Sequence, residues 1–421
     1  MSDGLDDWGR AEFVLAADRL DTPDVIEAAD PGDMLRHVAS SAAQVRTALR
    51  SCLETDLSAF TPDARPRAIV VAGLGGSGLA GEILGAVTGP SSPVQVLATQ
   101  AERLPGWVGA ADAVVAVSAS GATAETLAVA TEAARRGCRL AGVGARGSAL
   151  HRIAEQARAP FIPADAAGPP GSVLPRSMLW ALAVPLLVIA ERLGVARVGP
   201  EVYEQAAGRL EEVSHQCRPA SESFVNPGKS LALDLVGTLP VVWGTSVLSG
   251  VAARRFAAQL SDNAKYPAIA GLLPEVAHNQ IAVFDGPFSP AARRPPPVDP
   301  GVTAEPLDPE AEGLSGLPDL SSWDLEYEDD RPAPGFTPLR LVLIVDPGQD
   351  QRVAAQQRAV TELAAQRGLG LSELAMDDEH PLVRLAGVIQ LADYASVYLA
   401  IASGIDPSQT AAVTDLRARI E

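Results

Sequence analysis

The sequence is poor in cysteine and in basic residues, and each shortage argues against certain classes of protein. Its three cysteines, Cys52, Cys138 and Cys217, follow no metal-binding or redox spacing, so we expect reduced thiols. With 33 Lys and Arg against 52 Asp and Glu, the formal net charge is −19, which argues against nucleic acid or an anionic membrane as a partner. Such a protein binds a small anion only through local dipoles and a few arginines.

Long apolar runs and clustered histidines are also lacking. The most apolar stretch, 178–190, is about 13 residues long and contains Pro185, whereas a membrane helix requires about 20. The opening residues MSDGLDDWGR are acidic and polar, unlike a secretory signal. Five histidines form neither an H-E-x-x-H motif nor a close pair, so we expect no zinc-dependent mechanism and no metal site. These features predict a soluble, cytoplasmic protein.

The first half of the chain is organised around 68–84, AIVVAGLGGSGLAGEIL. An apolar run, typical of a strand buried on both faces, leads into a turn of four glycines and one serine, and a helical pattern follows. The glycines let backbone N–H groups approach an anion at the N-terminus of that helix. Gly75, Gly76 and Ser77 are therefore candidates for binding a phosphate.

The same turn matches the G-x-G-x-x-G spacing of dinucleotide-binding proteins through Gly73, Gly75 and Gly78. That fingerprint also requires an acidic residue at the end of the second strand, where it binds the ribose. The second strand here, 94–99, is followed by Gln100 and an alanine. We therefore disfavour an NAD-dependent dehydrogenase and expect no cofactor.

A second turn carries hydroxyl side chains. In 113–126, AVVAVSASGATAET, another apolar strand runs into Ser118, Ser120 and Thr123 and then into a helix. Three hydroxyls at the carboxyl end of a strand can hold phosphate oxygens beside free helix N–H groups. Ser, Thr and Gly also serve as ordinary caps and turn residues, so either turn alone leaves the choice open, and the two together favour a phosphate site.

The order of the motifs resembles a known family. GLGGSGLAG followed about 40 residues later by SASGATAET is similar to the sugar isomerase (SIS) domain. QLSDNAK, PEVAHNQ and DYASVYLAIASGIDP extend the resemblance to the bifunctional phosphoglucose/phosphomannose isomerase family over most of the chain. The resemblance implies an α/β fold with two SIS-type subdomains, each a doubly wound and mostly parallel sheet.

The chain divides into a helical N-terminal segment, 1–60, a first SIS subdomain, 61–196, a helical linker, 197–228, and a second SIS subdomain, 229–421. We expect a helix over 33–53, a loop over 271–284 and closing helices over 382–404 and 408–420. Leu385, Ile389, Ala392 and Ser396 mark one apolar face of the first closing helix.

Segment 286–338 interrupts the second subdomain. It is rich in proline, and its part 299–330 holds eleven acidic residues and neither Lys nor Arg. Such a composition cannot bury enough apolar surface to fold alone. We expect a mobile insertion.

Isomerisation of a sugar 6-phosphate requires a phosphate anchor, a ring-opening acid or base, a carboxylate that moves the C2 proton, and positive charge near the enediolate. The resemblance implies that Asp262 in QLSDNAK is the proton-transfer base and that His278 in PEVAHNQ opens the ring. It also implies that Arg176 presents its guanidinium to the sugar and that Arg417 takes the place of a lysine in the last helix. In the family the histidine comes from the neighbouring subunit, which implies a homodimer with His278 donated across the interface.

From the residues alone these roles stay open. Arg176 sits where an ordinary first helical turn would begin, and a lone carboxylate or histidine, such as Glu275 or His278, is usually solvated or structural. The i, i+4, i+7 spacing predicts that Arg255, Gln259 and Asp262 share one helix face.

Departures from the family pattern concentrate in the catalytic half. Asp262 replaces a glutamate, Arg417 a lysine, Ala122 an asparagine and Gln280 an acidic residue. Two hypotheses follow. One is an isomerase that converts glucose 6-phosphate and/or mannose 6-phosphate to fructose 6-phosphate. The other is a catalytically impaired phosphosugar-binding sensor or partner protein of the same fold, with the acidic insertion as its docking segment.

Overall fold

The computed structural model describes residues 14–164, 174–293 and 337–420. Its strands are β1 (Ala68–Ala72), β2 (Gln95–Thr99), β3 (Ala113–Ser118), β4 (Arg139–Gly144), β5 (Phe161–Pro163), β6 (Leu239–Gly244), β7 (Ile269–Leu272), β8 (Leu339–Val345) and β9 (Gly370–Ala375). Its helices are α1 (14–21), α2 (Pro23–Ala29), α3 (Met34–Ala39), α4 (Ser41–Glu54), α5 (Gly76–Thr88), α6 (Ala124–Arg135), α7 (Ala149–Gln156), α8 (Leu179–Arg192), α9 (Gly199–Gln216), α10 (Pro227–Leu235), α11 (Val247–Gln259), α12 (Gln351–Gln366), α13 (Pro381–Ala402) and α14 (Ala411–Ile420).

The first sheet has the strand order β2-β1-β3-β4-β5, and all its pairs are parallel. Every residue of β1 and β3 is buried, because helices cover both faces. Ile69 and Val71 pack into one apolar cluster, and Val70 and Ala72 pack into another on the opposite face. The predicted parallel α/β fold is confirmed.

The order of this sheet creates a crevice at one edge. The chain passes from β1 to β2 on one side and then returns to place β3 on the other side of β1. The connections after β1 and β3 therefore lie on opposite faces, and ligands bind at such a switch point, outside the carboxyl ends of the strands. Both turns singled out in the sequence follow these two strands.

The second sheet has the order β7-β6-β8-β9 and is also parallel. The prediction of a loop over 271–284 is wrong at its start, because β7 includes Gly271 and Leu272 and two 3₁₀ turns follow, at Glu275–His278 and Gln280–Asp285. Strand β7 is short and at most half-buried, so it lacks the apolar run that marks a central strand.

The long helix α13 is the centre of the core. It packs against α9, α10 and α11, and 19 of its 22 residues are buried. The prediction of a single apolar face was therefore too narrow. By length and composition α13 could cross a membrane, but 94% of its apolar window is buried inside the protein, as in a core helix.

Two other predictions need comment. The helix expected over 33–53 breaks at Ser40, whose hydroxyl donates to the carbonyl of His37, so that α3 and α4 form two separate helices. Both sheets lie inside the predicted subdomains, whose boundaries stay predictions. Residues 294–336, most of the predicted insertion, lie outside the described residues.

Glycine allows α5 to approach the first sheet closely. A Cβ atom added at Gly81 would lie 2.8 Å from Val71 Cβ and 3.1 Å from Ala98 Cβ. At Gly208, in the middle of α9, an added Cβ meets nothing within 4 Å.

These two glycines give a matched stability test. We expect Gly81→Ala to lower the free energy of unfolding by about 1–3 kcal/mol, because the overpacked methyl pushes α5 off the sheet. Gly208→Ala should raise it by about 1 kcal/mol through helix propensity alone. Urea unfolding of both variants measures the two effects, and an equal gain in stability from both would show that the α5–sheet contact is not tight.

Candidate active site

The glycine turn after β1 is closely packed. A Cβ atom added at Gly73 would lie 2.8 Å from Ser77 Cβ, and one at Gly78 would lie 2.7 Å from the carbonyl oxygen of Gly73. Gly75 has a φ angle of 55° and open space around it. Gly73 and Gly78 thus let the turn close tightly, and Gly75 leaves its outer surface accessible at the N-terminus of α5.

The hydroxyl turn after β3 lies at the same edge of the sheet. Ser118 Oγ lies 2.9 Å from Thr123 Oγ1 and 3.4 Å from Ser120 Oγ, so the three hydroxyls converge. Thr123 is the N-cap residue of α6, yet its side chain makes no capping hydrogen bond. Ser120 is exposed, Thr123 is half-buried and Ser118 is buried behind them, so the turn presents hydroxyls at the crevice between β1 and β3, next to the positive end of the α6 dipole.

Arg176 lies beside the glycine turn. A Cβ atom added at Gly76 would lie 3.9 Å from the carbonyl oxygen of Pro175. The Arg176 guanidinium reaches the second subdomain, where Nε donates to Asn263 Oδ1 at 2.9 Å and Nη2 donates to the carbonyl oxygen of Pro407 at 2.6 Å. Both acceptors are uncharged, and no carboxylate of the described residues forms an ion pair with this side chain.

Asp262 lies in a π-helical turn, Leu260–Ala264, that follows α11. The prediction that Arg255, Gln259 and Asp262 share one helix face is wrong: Arg255 and Gln259 are buried, whereas Asp262 is exposed. The wider turn changes the angular spacing of the side chains, and Asn263 takes the buried position instead. The charge of Asp262 still acts on Arg176: burial lowers the pKa of Arg176, and Asp262 and Asp406 oppose that shift.

Lys265 is a second cation at this site, and the sequence analysis missed it. Its backbone is left-handed, with a φ angle of 60°, and its ammonium turns back to donate to the carbonyl oxygens of Asp262 (2.9 Å), Asn263 (3.1 Å) and Asp406 (3.3 Å). Burial and the positive charge of Arg176 lower the pKa of Lys265, and Asp406 and Asp262 oppose that shift. The only sequence signal was its place at the end of QLSDNAK. The site therefore holds two cations whose hydrogen-bond acceptors are neutral.

A buried ion pair between Arg255 and Asp393 holds the backbone of Arg176 in place. Arg255 donates to both carboxylate oxygens of Asp393, at 2.9 and 2.8 Å, and its Nη2 also donates to the backbone carbonyl oxygen of Arg176 at 2.9 Å. Burial raises the pKa of Asp393, and the ion pair with Arg255 opposes the rise. This contact joins α11, α13 and the segment of Arg176.

His278 lies apart from this cluster, in the 3₁₀ turn after β7. Its side chain is exposed and makes no hydrogen bond to a described residue. Glu275, in the same turn, accepts a hydrogen bond from the side-chain amide of Asn279. Gln280 accepts a hydrogen bond from Trp243 Nε1 at 2.9 Å, so its side chain satisfies a buried indole and anchors the end of the turn.

Arg417 also lies apart. It is exposed on α14, a helix with no buried residue that presents Val413, Leu416 and Ile420 to solvent. Within the part of the chain that the structure describes, neither Arg417 nor His278 is bonded to Arg176 or Asp262. One chain thus assembles the two turns, Arg176 and the Asp262 turn, and leaves two of the predicted site residues outside.

The switch point of the second sheet is filled by the chain itself. At the carboxyl ends of β6 and β8, Asp346 is buried, and its carboxylate accepts hydrogen bonds from Ser246 Oγ at 2.5 Å and from the Gly348 N–H at 3.0 Å. Arg384 Nε lies 3.4 Å from the same carboxylate, so Asp346 is also paired with a cation. The groups at this switch point already bind one another, and the candidate anion site belongs to the first sheet.

Comparisons with known proteins show similarity in sequence and in fold. Residues 224–420 match the family model of the bacterial phospho-glucose isomerase C-terminal SIS domain. A bifunctional phosphoglucose/phosphomannose isomerase of Caldicellulosiruptor bescii is 24% identical over 352 residues, which cover 84% of this chain and 89% of that protein. Another protein of the same name from Thermoplasma acidophilum is 29% identical over 211 residues, 50% of this chain and 60% of that protein.

Among solved structures, the C-terminal domain of glucosamine-fructose-6-phosphate aminotransferase from Francisella tularensis has a TM-score of 0.60 at 15% identity. The match covers 89% of this chain and 98% of that domain, and it shows a common fold. Taken together, residues 224–420 are similar to the bacterial phospho-glucose isomerase C-terminal SIS domain, and over most of its length the chain is similar to a bifunctional phosphoglucose/phosphomannose isomerase.

Proposed function

We propose that this protein is a phosphosugar isomerase that converts glucose 6-phosphate and/or mannose 6-phosphate to fructose 6-phosphate. The observation that carries the proposal is Arg176. The backbone just before it lies beside the glycine turn, and its guanidinium reaches the turn of Asp262, where it donates only to uncharged acceptors. A positive charge held in this way stabilises an oxyanion that develops beside it.

The phosphate of the sugar would bind at the crevice between β1 and β3. Gly75, Gly76 and Ser77 offer the open turn at the start of α5, and the converging hydroxyls of Ser118, Ser120 and Thr123 offer hydrogen bonds to its oxygens. The anchored sugar would then extend towards Arg176, which lies next to the glycine turn.

The chemical step moves one proton between carbons and one between oxygens. The Asp262 carboxylate would take the proton from C2 of the open-chain aldose, the C2–H electrons would form the C1=C2 bond of the enediolate, and the C1=O electrons would move onto O1. The proton on O2 would pass to O1, and Asp262 would return its proton to C1, which leaves the carbonyl at C2. Arg176 would hold the negative charge on the oxygen while the enediolate exists. Ring opening needs a separate acid, for which His278 is the candidate.

We propose a cytoplasmic homodimer in which His278 comes from the neighbouring subunit. His278 is exposed and forms no hydrogen bond with the residues around Arg176. Helix α14, which carries Arg417, has no buried residue. The exposed stripe of Val413, Leu416 and Ile420 on α14 is the kind of surface that a second subunit covers. The site would then be complete only in the dimer.

One observation favours the alternative, a phosphosugar-binding sensor with impaired catalysis. The Asp262 carboxylate makes no hydrogen bond to a described residue, and an aspartate reaches about 1.5 Å less far than the family's glutamate. A misplacement of about 1 Å can lower a rate on the order of a hundredfold.

Substitutions at Asp262 separate the two functions. In an isomerase, Asp262→Asn should lower kcat by a factor of about 10² to 10⁴ while binding persists, because the amide keeps the shape but takes no proton. Asp262→Glu should raise kcat by restoring the longer reach. A coupled assay with each 6-phosphate measures both. Unchanged turnover in Asp262→Asn would move the base to another carboxylate, with Glu275 next, and no wild-type turnover would favour the sensor.

Phosphate binding is tested at the hydroxyl turn. Ser118→Ala combined with Thr123→Val removes two hydrogen bonds to an anion, and we expect the binding of fructose 6-phosphate to weaken by about 2–4 kcal/mol in calorimetry. Thr131→Val on the exposed side of α6 is the matched control and should leave the affinity unchanged. Equal affinities of the double variant and the control would place the phosphate elsewhere.

Donation of His278 across an interface predicts complementation. His278→Ala and Asp262→Asn should each be inactive alone, but mixed dimers of the two contain one intact site, so co-expression at equal levels should restore about a quarter of wild-type activity. Light scattering reports the dimer. Mixed dimers without recovered activity would show that His278 acts within its own subunit or takes no part.

A further inference from the structure

Asn263, next to Asp262 in the π-helical turn, is fully buried and lies behind the Arg176 guanidinium. Its Oδ1 accepts from Arg176 Nε at 2.9 Å, and its Nδ2 donates to Ser396 Oγ at 2.9 Å. The same Nδ2 lies 2.9 Å from the side-chain amide of Gln259. Because Arg176 offers only donors, the carbonyl end of Asn263 must face it, which determines the orientation of the amide.

Helix α13 holds this amide in place. Ser396 Oγ donates to the carbonyl oxygen of Asp393 at 2.7 Å, so its lone pairs are directed at Asn263. Asp393 also binds Arg255, which donates to the backbone carbonyl oxygen of Arg176. The side chain and the backbone of Arg176 are therefore both tied to one helix.

The charge of the acceptor decides what Arg176 can do. An amide oxygen orients a guanidinium without neutralising it, whereas a carboxylate at the same position forms an ion pair in a partly buried site, where attraction is strong. Arg176 and Lys265 both end on neutral oxygens, in a protein whose net charge is −19. The carboxylates of Asp262 and Asp406 attract both cations from a distance but form no hydrogen bond or ion pair with either, so the cations can still pair with a ligand.

We propose that Asn263 is a positioning residue of the site: its uncharged carbonyl aims Arg176 at the C1–C2 region of the sugar and preserves the positive charge there. The inference rests on the proposed function, because Asn263 acts only through Arg176. Asn263 also links the positions of Arg176 and Asp262, because it binds Arg176 and directly follows Asp262 in the chain.

The direct test is Asn263→Asp, which retains an acceptor for Arg176 Nε and adds a negative charge. We expect kcat for fructose 6-phosphate to fall about 100-fold, with KM changed less than about threefold, because the phosphate turns are untouched. Gln95→Glu, at the exposed start of β2, adds the same charge away from the site and should behave as wild type. A wild-type kcat in Asn263→Asp would overturn the inference.

A double-mutant cycle with Arg176→Gln separates positioning from general damage to the fold. If Asn263 acts through Arg176, then Asn263→Asp should change kcat little in the Arg176→Gln background, whereas additive losses would overturn the inference. Should Asn263→Asp fail to fold, Ser396→Ala loosens the same amide. We expect it to lower kcat about tenfold in the wild-type background and hardly at all beside Arg176→Gln.

Binding distinguishes this inference from the proposed function. Arabinonate 5-phosphate carries a carboxylate where the enediolate forms, and arabinitol 5-phosphate lacks that charge. Wild type should bind the acid about tenfold more tightly, and Asn263→Asp should lose the preference. Wild type that neither turns over nor binds either compound would refute the proposed function. Turnover by wild type with the preference retained in Asn263→Asp would refute only the role of Asn263.

Discussion

The candidate site depends on the way in which Arg176 crosses from one subdomain to the other. Its guanidinium ends on the side chain of Asn263 and the carbonyl of Pro407, and its own carbonyl accepts from Arg255. The Arg255–Asp393 ion pair beneath it is buried, and removing one partner of such a pair leaves an uncompensated charge in the core. The position of Arg176 next to the glycine turn is thus built into the packing of α11 and α13.

This arrangement explains how an acidic protein can offer a site to an anion. The field that matters at a crevice is local, and it is made by the start of two helices, by hydroxyls and by two cations whose partners are neutral. The second sheet has the same strand layout but carries Asp346 at its switch point. Similar topology therefore leaves the first switch point open, whereas Asp346 and its partners Ser246 and Arg384 fill the second.

The departures from the family pattern do not all bear on chemistry. Gln280 satisfies the buried indole of Trp243, a structural role that needs an acceptor and not a charge. Ala122 lies in the hydroxyl turn, where its N–H donates to Ser120 Oγ, so the turn closes without the usual asparagine. Asp262 is different, because its side chain is exposed and its reach determines whether it meets the substrate. Among these departures, Asp262 is the one that bears on the proposed isomerase activity.

Local patterns in the sequence determined the parallel α/β fold, the glycine turn and the hydroxyl turn, because the period of a buried strand and the chemistry of a turn act over a few residues. They did not reveal β7, whose run is short and partly exposed, or the π-helical turn that exposes Asp262 and buries Asn263. Arg176 and Asn263 are 87 positions apart, and Arg255 and Asp393 are 138 apart. Only the packing of the two subdomains on α13 brings such residues together, so the identity of the groups that hold Arg176 was decided by the tertiary structure.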